Sequence, residues 1–336
     1  MDANAWKGED GLPGARLLSG PRLRGLQIIE GRRGCAMEHL SRTERIRAVL
    51  ALFVAVVLFA SAFVAIRAIV TTEAYDPVSL TVGRLMVASI GLGILALARG
   101  GIRVPSGRDW FAFIALGAFG QTLYQVLLNT GERSVDGGTA ALLVSTSPIV
   151  ASVLAVVFLG ERLTWQGWLG TGIAFAGAAV IAASAGVSLD MSGGVALVLM
   201  ATLLWAAYQV VQKTVAHGYG PLELTAWPTW IATLVLVPFS AGLPAEVAAA
   251  PMAATLGMVW LGAASSLAGF LAWSYAIRRL PVVVSSNALF AVPVAAFLIG
   301  LVALGEVPAP AAFAGAGVVV CGVALLQTRG RPAAQA

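Results

Sequence analysis

The sequence predicts an all-α membrane protein of ten transmembrane helices, folded as two inverted five-helix repeats. Three observations predict it. Apolar residues make up 59% of the chain and charged residues 11%, with a mean hydropathy of +0.87. A soluble domain carries roughly a quarter charged residues, so this chain cannot cover a water-facing surface. Next, the run Thr146-Ser147-Pro148-Ile149 to Phe158-Leu159-Gly160-Glu161 is written again as Ala291-Val292-Pro293-Val294 to Ala303-Leu304-Gly305-Glu306. Pro148 and Pro293, Gly160 and Gly305, and Glu161 and Glu306 all stand 145 positions apart, and a fixed spacing across punctuating residues marks an internal repeat. Finally, the apolar runs number ten, five to a copy. An odd number of crossings leaves the second copy upside down relative to the first.

In chain order, residues 1–47 form a polar tail rich in Gly and Arg, without the apolar core of a cleavable signal. Either Lys7, Arg16, Arg22, Arg24, Arg32 and Arg33 bind anionic lipid, or translation starts at Met37. The first repeat is expected over 48–187, with spans at 48–70, 78–98, 110–131, 138–159 and 166–185. The second is expected over 192–328, with spans at 194–213, 221–240, 254–276, 282–303 and 309–327, before a short tail at 329–336. Each run is near the roughly 20 residues that a spanning helix needs, and the short connections make neighbours antiparallel. Gly170, Gly172 and Gly177 recur as Gly315, Gly317 and Gly322; earlier elements match with one-residue slips, Phe59…Arg67 against Trp205…Lys213.

The charges orient the chain. Arg42, Arg45, Arg47, Arg99, Arg103, Arg108, Arg162, Lys213, Arg278, Arg279, Arg329 and Arg331 all fall on one side of an alternating topology. The opposite loops hold Glu73, Asp76, Arg133, Asp136, Asp190, Glu246 and Glu306. Cationic loops stay cytoplasmic, which puts both termini inside and explains the net charge of +5 without nucleic acid. Cys35 and Cys321 form neither a disulfide framework nor a metal site, and Cys321 reads as a small packing residue. No cofactor is implied. The bias toward Ala, Gly and Arg suggests a GC-rich bacterial genome, hence an inner membrane. The expected partners are the bilayer and a small solute, and the chain is a monomer or a homodimer; the glycines of the fifth and tenth spans permit close helix approach in either case.

Two five-helix units, Phe59-Ala60-Ser61 leading to Arg67, Arg84 early in the second span, and the Ser-Pro…Leu-Gly-Glu-Arg fourth span together resemble the drug/metabolite transporter superfamily, EamA type. The resemblance covers about 48–328. It departs at Val307, where the first copy has Arg162, and at Pro228, where the second span has Arg84. It implies export of amino acids or other small metabolites through a central cavity.

Polar groups deep in a span face the bundle interior. Gln121, Tyr124, Gln125 and Asn129 share one helical face by spacing, as do Trp205, Tyr208, Gln209 and Gln212. Ser265, Ser266, Trp273, Ser286, Asn287, Ser145 and Ser147 add to them. Amides and rings of this kind suit a neutral or zwitterionic solute, although the same groups also bridge neighbouring helices. Pro148 and Pro293 are expected to kink their helices, as hinges or as exposed carbonyls. Arg84 either holds a substrate carboxylate, pairs with a gate acid, or snorkels toward Glu73 or Asp76. Glu161 and Glu306 close their spans and hold gate loops or orphan backbone donors. No acid stands at mid-span, so coupling through a buried carboxylate is not expected. Nothing resembles an enzyme site or a metal-ligand cluster. The alternatives to an exporter are an uptake carrier and a receptor or scaffold that binds without moving anything.

Overall fold

The structure is a computed structural model in which residues 41–70, 73–131, 143–184, 193–304 and 310–330 are described. Nine helices among the described residues are long and apolar enough to cross a membrane, and Ser147–Leu159 is apolar but shorter. In order they are α1 (Arg42–Val70), α2 (Pro77–Ala98), α3 (Asp109–Gly131), α4 (Ser147–Leu159), α5 (Trp165–Ser184), α6 (Gly193–Val215) and α7 (Pro221–Leu236). A short α8 (Leu243–Ala249) precedes α9 (Met252–Arg279), α10 (Val282–Ala288), α11 (Ala291–Leu304) and α12 (Pro310–Arg329), with α10 and α11 making one span. The chain is a multi-pass, all-helical membrane protein.

Local rules set the ends. Asp76 caps α2 by accepting from Val78 N, with Pro77 at the first position; Gly100 and Gly101, both at positive φ, release the chain after it. Gly160 ends α4 in the left-handed region at φ 66°, and this turn brings Glu161 back across the bundle. Its carboxylate accepts from Val282 N at 2.7 Å and Val283 N at 2.9 Å, filling the orphan donors of α10. Here the Leu-Gly-Glu motif has a physical role. Its second copy, with Gly305 and Glu306, lies outside the described residues.

The prolines differ from expectation. The chain is already broken before each of them, at the turns Ser145-Thr146 and Leu289-Phe290. Pro148 and Pro293 then sit in the first turns of α4 and α11, where the missing N–H was unpaired anyway. They start helices and do not kink them. Pro228 is the proline inside a helix. It frees the Leu224 carbonyl, which accepts from Gln212 Nε2 at 3.5 Å.

Two further departures carry the architecture. Leu116–Leu123 in α3 and Leu261–Gly269 in α9 are π-helical, and both begin Leu-Gly-Ala at the repeat spacing. Gly117 lies so close to α7 that a Cβ there would come 2.7 Å from the Pro228 oxygen and from Ile231. Gly262 meets α2 in the same way, 2.7 Å from the Arg84 oxygen and 2.6 Å from Val87. α5 and α12 pack backbone to backbone and run antiparallel, Gly170 against Gly322 and Gly177 against Gly315. Gly172 and Gly317 meet nothing within 4 Å. Cys321 is exposed on α12, so it does not pack inside the bundle as its sequence reading expected.

The loops sort into two faces. On one, Lys213 Nζ donates to the Ile277 and Leu280 carbonyls, both at 2.6 Å, and Thr164 binds the end of α12 at Arg329. Tyr219 donates to Asp109 at 2.7 Å. On the other, Glu246 accepts from Asp76 N at 3.1 Å and Ser79 Oγ at 3.0 Å, and Tyr75 bonds Thr255.

Candidate functional site

The bundle core holds a cluster of packed aromatic rings, here called the chamber. Trp205 of α6 is stacked between Tyr124 of α3 (5.3 Å between ring centroids, 25° interplanar) and Tyr208 (5.1 Å, 10°). Phe59 of α1 meets Phe270 of α9 edge-on at 5.3 Å, and Trp205 at 6.4 Å. Trp273 closes the group, 6.1 Å from Trp205. Edge-on and offset contacts of this kind are the favourable arrangements for aromatic rings.

Around the rings, buried polar groups fall into two kinds. Some are fully tied. Gln212 accepts from Trp273 Nε1 at 2.9 Å and donates to Tyr208 Oη at 3.2 Å and Ser274 Oγ at 3.1 Å. Thr225, Thr229 and Thr233 line one face of α7, each bonded to the carbonyl one turn back. Others are left open. Gln125 Oε1, Gln209 Oε1, Asn287 Oδ1 and Ser285 Oγ are buried without a hydrogen-bond partner among the described residues. Gln121 accepts from Thr229; its Nε2 sits beside the Tyr208 hydroxyl without forming a well-aligned bond. A buried polar atom without a partner costs about 1–3 kcal/mol, so a cluster of them in a native core calls for an explanation.

Arg84 is the surprise. It neither snorkels nor pairs with Glu73 or Asp76. Its guanidinium is buried, donating from Nε to Ser266 Oγ at 3.0 Å and from Nη2 to Ser265 Oγ at 3.4 Å, both in the π segment of α9. Tyr124 of α3 lies near it.

The structure thus brings Tyr124, Trp205, Tyr208 and Trp273 together and buries Gln121, Gln125 and Gln209 with them. Asn129, one turn beyond Gln125 on the same α-helical stretch, is turned to α2, where it donates to Thr81 at 2.8 Å. Asn287 donates to Ser152 at 2.9 Å and to the Val283 carbonyl, tying α10 to α4. Ser145 is buried in the break before Pro148. Phe270 was not foreseen, since a phenylalanine in an apolar run looks like any lipid-facing one. Its signal was the repeat spacing, which pairs it with Tyr124 within the same one-residue slip that pairs Phe59 with Trp205.

Comparison with known proteins gives a match to the EamA-like transporter family over residues 46–183 and again over 192–328. The chain belongs to the EamA-like transporter family. Among its relatives is a "Probable terminal-alkyne amino-acid exporter" of Streptantibioticus cattleyicolor, 40% identical over 283 residues, 84% of this chain and 94% of that one. Another is the "Uncharacterized transporter YdfC" of Bacillus subtilis, 32% identical over 79% of this chain and 86% of the relative. A solved crystal structure superposes with a TM-score of 0.69 over 84% of this chain and 98% of its own, at 20% identity; that likeness concerns the fold. Membership in this family makes the chain a transporter by descent.

Proposed function

We propose that this protein is a secondary transporter that exports small neutral or zwitterionic metabolites, amino acids foremost, across a bacterial inner membrane by alternating access. The observation that carries the reading is an exchange of contacts across the bundle. Phe59 meets Phe270 while Trp205 meets Tyr124, and Gly262 meets Arg84 and Val87 while Gly117 meets Pro228 and Ile231. Swapped pairs of this kind are what a two-fold relation between two halves produces. The antiparallel run of α5 against α12 favours the inverted arrangement, in which substrate binds where the halves meet.

The supports for the substrate class are chemical and comparative. Open amide oxygens and stacked rings suit a solute with polar ends and an apolar body, and one relative is described as exporting amino acids. The carboxylates serve as gates. Glu161 fastens α10 on the basic face, and Glu246 fastens α2 on the other. Opening a face means releasing its carboxylate, while the breaks before Pro148 and Pro293 let the outer helices swing. The concentration of Arg and Lys on the Glu161 face supports a cytoplasmic side for that face and for both termini.

The test is counterflow in proteoliposomes with a panel of labelled amino acids that includes terminal-alkyne members. Saturable flux, lost in Trp205→Ala and Gln121→Ala, supports the carrier. Binding without flux in the wild-type protein would make it a receptor and sink the proposal.

A further inference from the structure

Among the described residues, Arg84 is the one charged side chain that is buried. Burial of an ionised group is costly unless it is paired and hydrogen-bonded, and such groups are normally met by an opposite charge. No carboxylate of the described residues reaches this one. Two serine hydroxyls do, and they come from adjacent positions of a π-helical turn. A guanidinium has five N–H donors in a flat fork, and among the described residues two are engaged, by Ser266 and Ser265. Each serine, while accepting from Arg84, keeps its own O–H to give. The cluster therefore offers donors from three side chains and a full positive charge, a set that matches the two oxygens of a carboxylate.

Elsewhere in the core, the open atoms of α3 and α6 are two acceptors, Gln125 Oε1 and Gln209 Oε1, and one donor, Gln121 Nε2. Tyr124 lies near Arg84 and is stacked on Trp205. We propose that Arg84, seated by Ser265 and Ser266, is the anchor for a free carboxylate on the transported solute. The residue thus selects amino acids over their esters and over amines. The inference rests on the carrier reading above and names the group that the site recognises.

Isothermal titration calorimetry on the purified full chain tests it with three probes: L-propargylglycine, its methyl ester, and but-3-yn-1-amine, which lacks the carboxyl group. The wild-type protein should bind the acid about tenfold or more tighter than either analogue. Arg84→Gln should weaken the acid by about 100-fold, as removal of one partner from a buried charge pair does, while leaving the ester within about threefold. Arg84→Lys should recover part of the loss, because it restores the charge without the fork. Should Arg84→Gln fail to fold, Ser266→Ala supplies the same comparison, with the acid weakened more than the ester. Equal binding of acid and ester by the wild type overturns the anchor, and so does an equal loss of both in the variants, which is the mark of a purely structural arginine. A wild-type protein that binds none of the probes, nor any standard amino acid, overturns the carrier reading itself and the anchor with it.

Discussion

α2 and α7 occupy matching places in the two halves, and they differ where it matters. Gly262 presses on the backbone of α2 at Arg84 and on Val87, and Gly117 presses on α7 at Pro228 and Ile231 with the same closeness. The backbone contact is shared, but one helix supplies a buried cation and the other a proline. In the proposed carrier, the shared frame would keep two opposite states of similar energy and leave recognition to a single side. A solute with distinct ends needs a site with distinct ends, and the contrast between Arg84 and Pro228 would supply one.

The shared frame can be broken directly. Gly117→Val and Gly262→Val should each destabilise by about 1–3 kcal/mol, the range for overpacking, and by similar amounts if the two contacts are equivalent. Melting of the detergent-solubilised protein reads this; Gly172→Val and Gly317→Val, which meet nothing, should stay within about 0.5 kcal/mol. A large difference between Gly117 and Gly262 would show that the halves do not share the contact.

Next in size come the proposed gates. Glu161→Ala leaves two amides of α10 uncapped and should cost about 1–2 kcal/mol. It should also speed labelling of a cysteine at Val283 by an impermeant thiol reagent added from the basic face. Glu246→Ala should act on the other face through α2, at a cost of about 1 kcal/mol, and leave Val283→Cys labelling unchanged. If each variant opened both faces, the two carboxylates would not be separate gates.

The smallest effect is a pH dependence on the basic face. Burial, then Lys213 and Arg278, push His217 below the usual histidine value. Such a group binds fewer protons folded than unfolded, so stability falls as pH drops below about 6.5 toward the lowered value and is unaffected above it. His217→Gln should flatten that slope in a pH series of melts; the acidic face has no described histidine to give a matching one.

Much of the frame was legible because it rests on composition and repetition. The apolar runs give the spans, and Gly170, Gly177, Gly315 and Gly322 marked α5 and α12 as helices open to close approach, without naming each as the other's partner. What escaped was everything set by backbone phase. The two π segments, the breaks at Ser145-Thr146 and Leu289-Phe290, and the short α8 leave hydropathy unchanged, and hydropathy was the signal used. In the site, Trp205, Tyr124 and the glutamines stood out as polar or amphipathic groups inside apolar runs. Arg84 did not declare its direction. A long side chain about ten ångströms from a span end reaches either the surface or the interior, and only its contacts with Ser265 and Ser266 decide.

A π turn holds one residue more than an α turn, so the helix beyond it is rotated by about 100° from the line that regular winding would follow. In α3 the side chains redirected in this way begin with Tyr124 and Gln125; in α9 they begin with Phe270 and go on to Trp273 and Ser274. The walls of the chamber are therefore a matter of angular offset as much as of residue type. The same letters wound on two uninterrupted cylinders would turn those rings toward other neighbours, and the enclosure would be lost without the loss of a single residue that lines it.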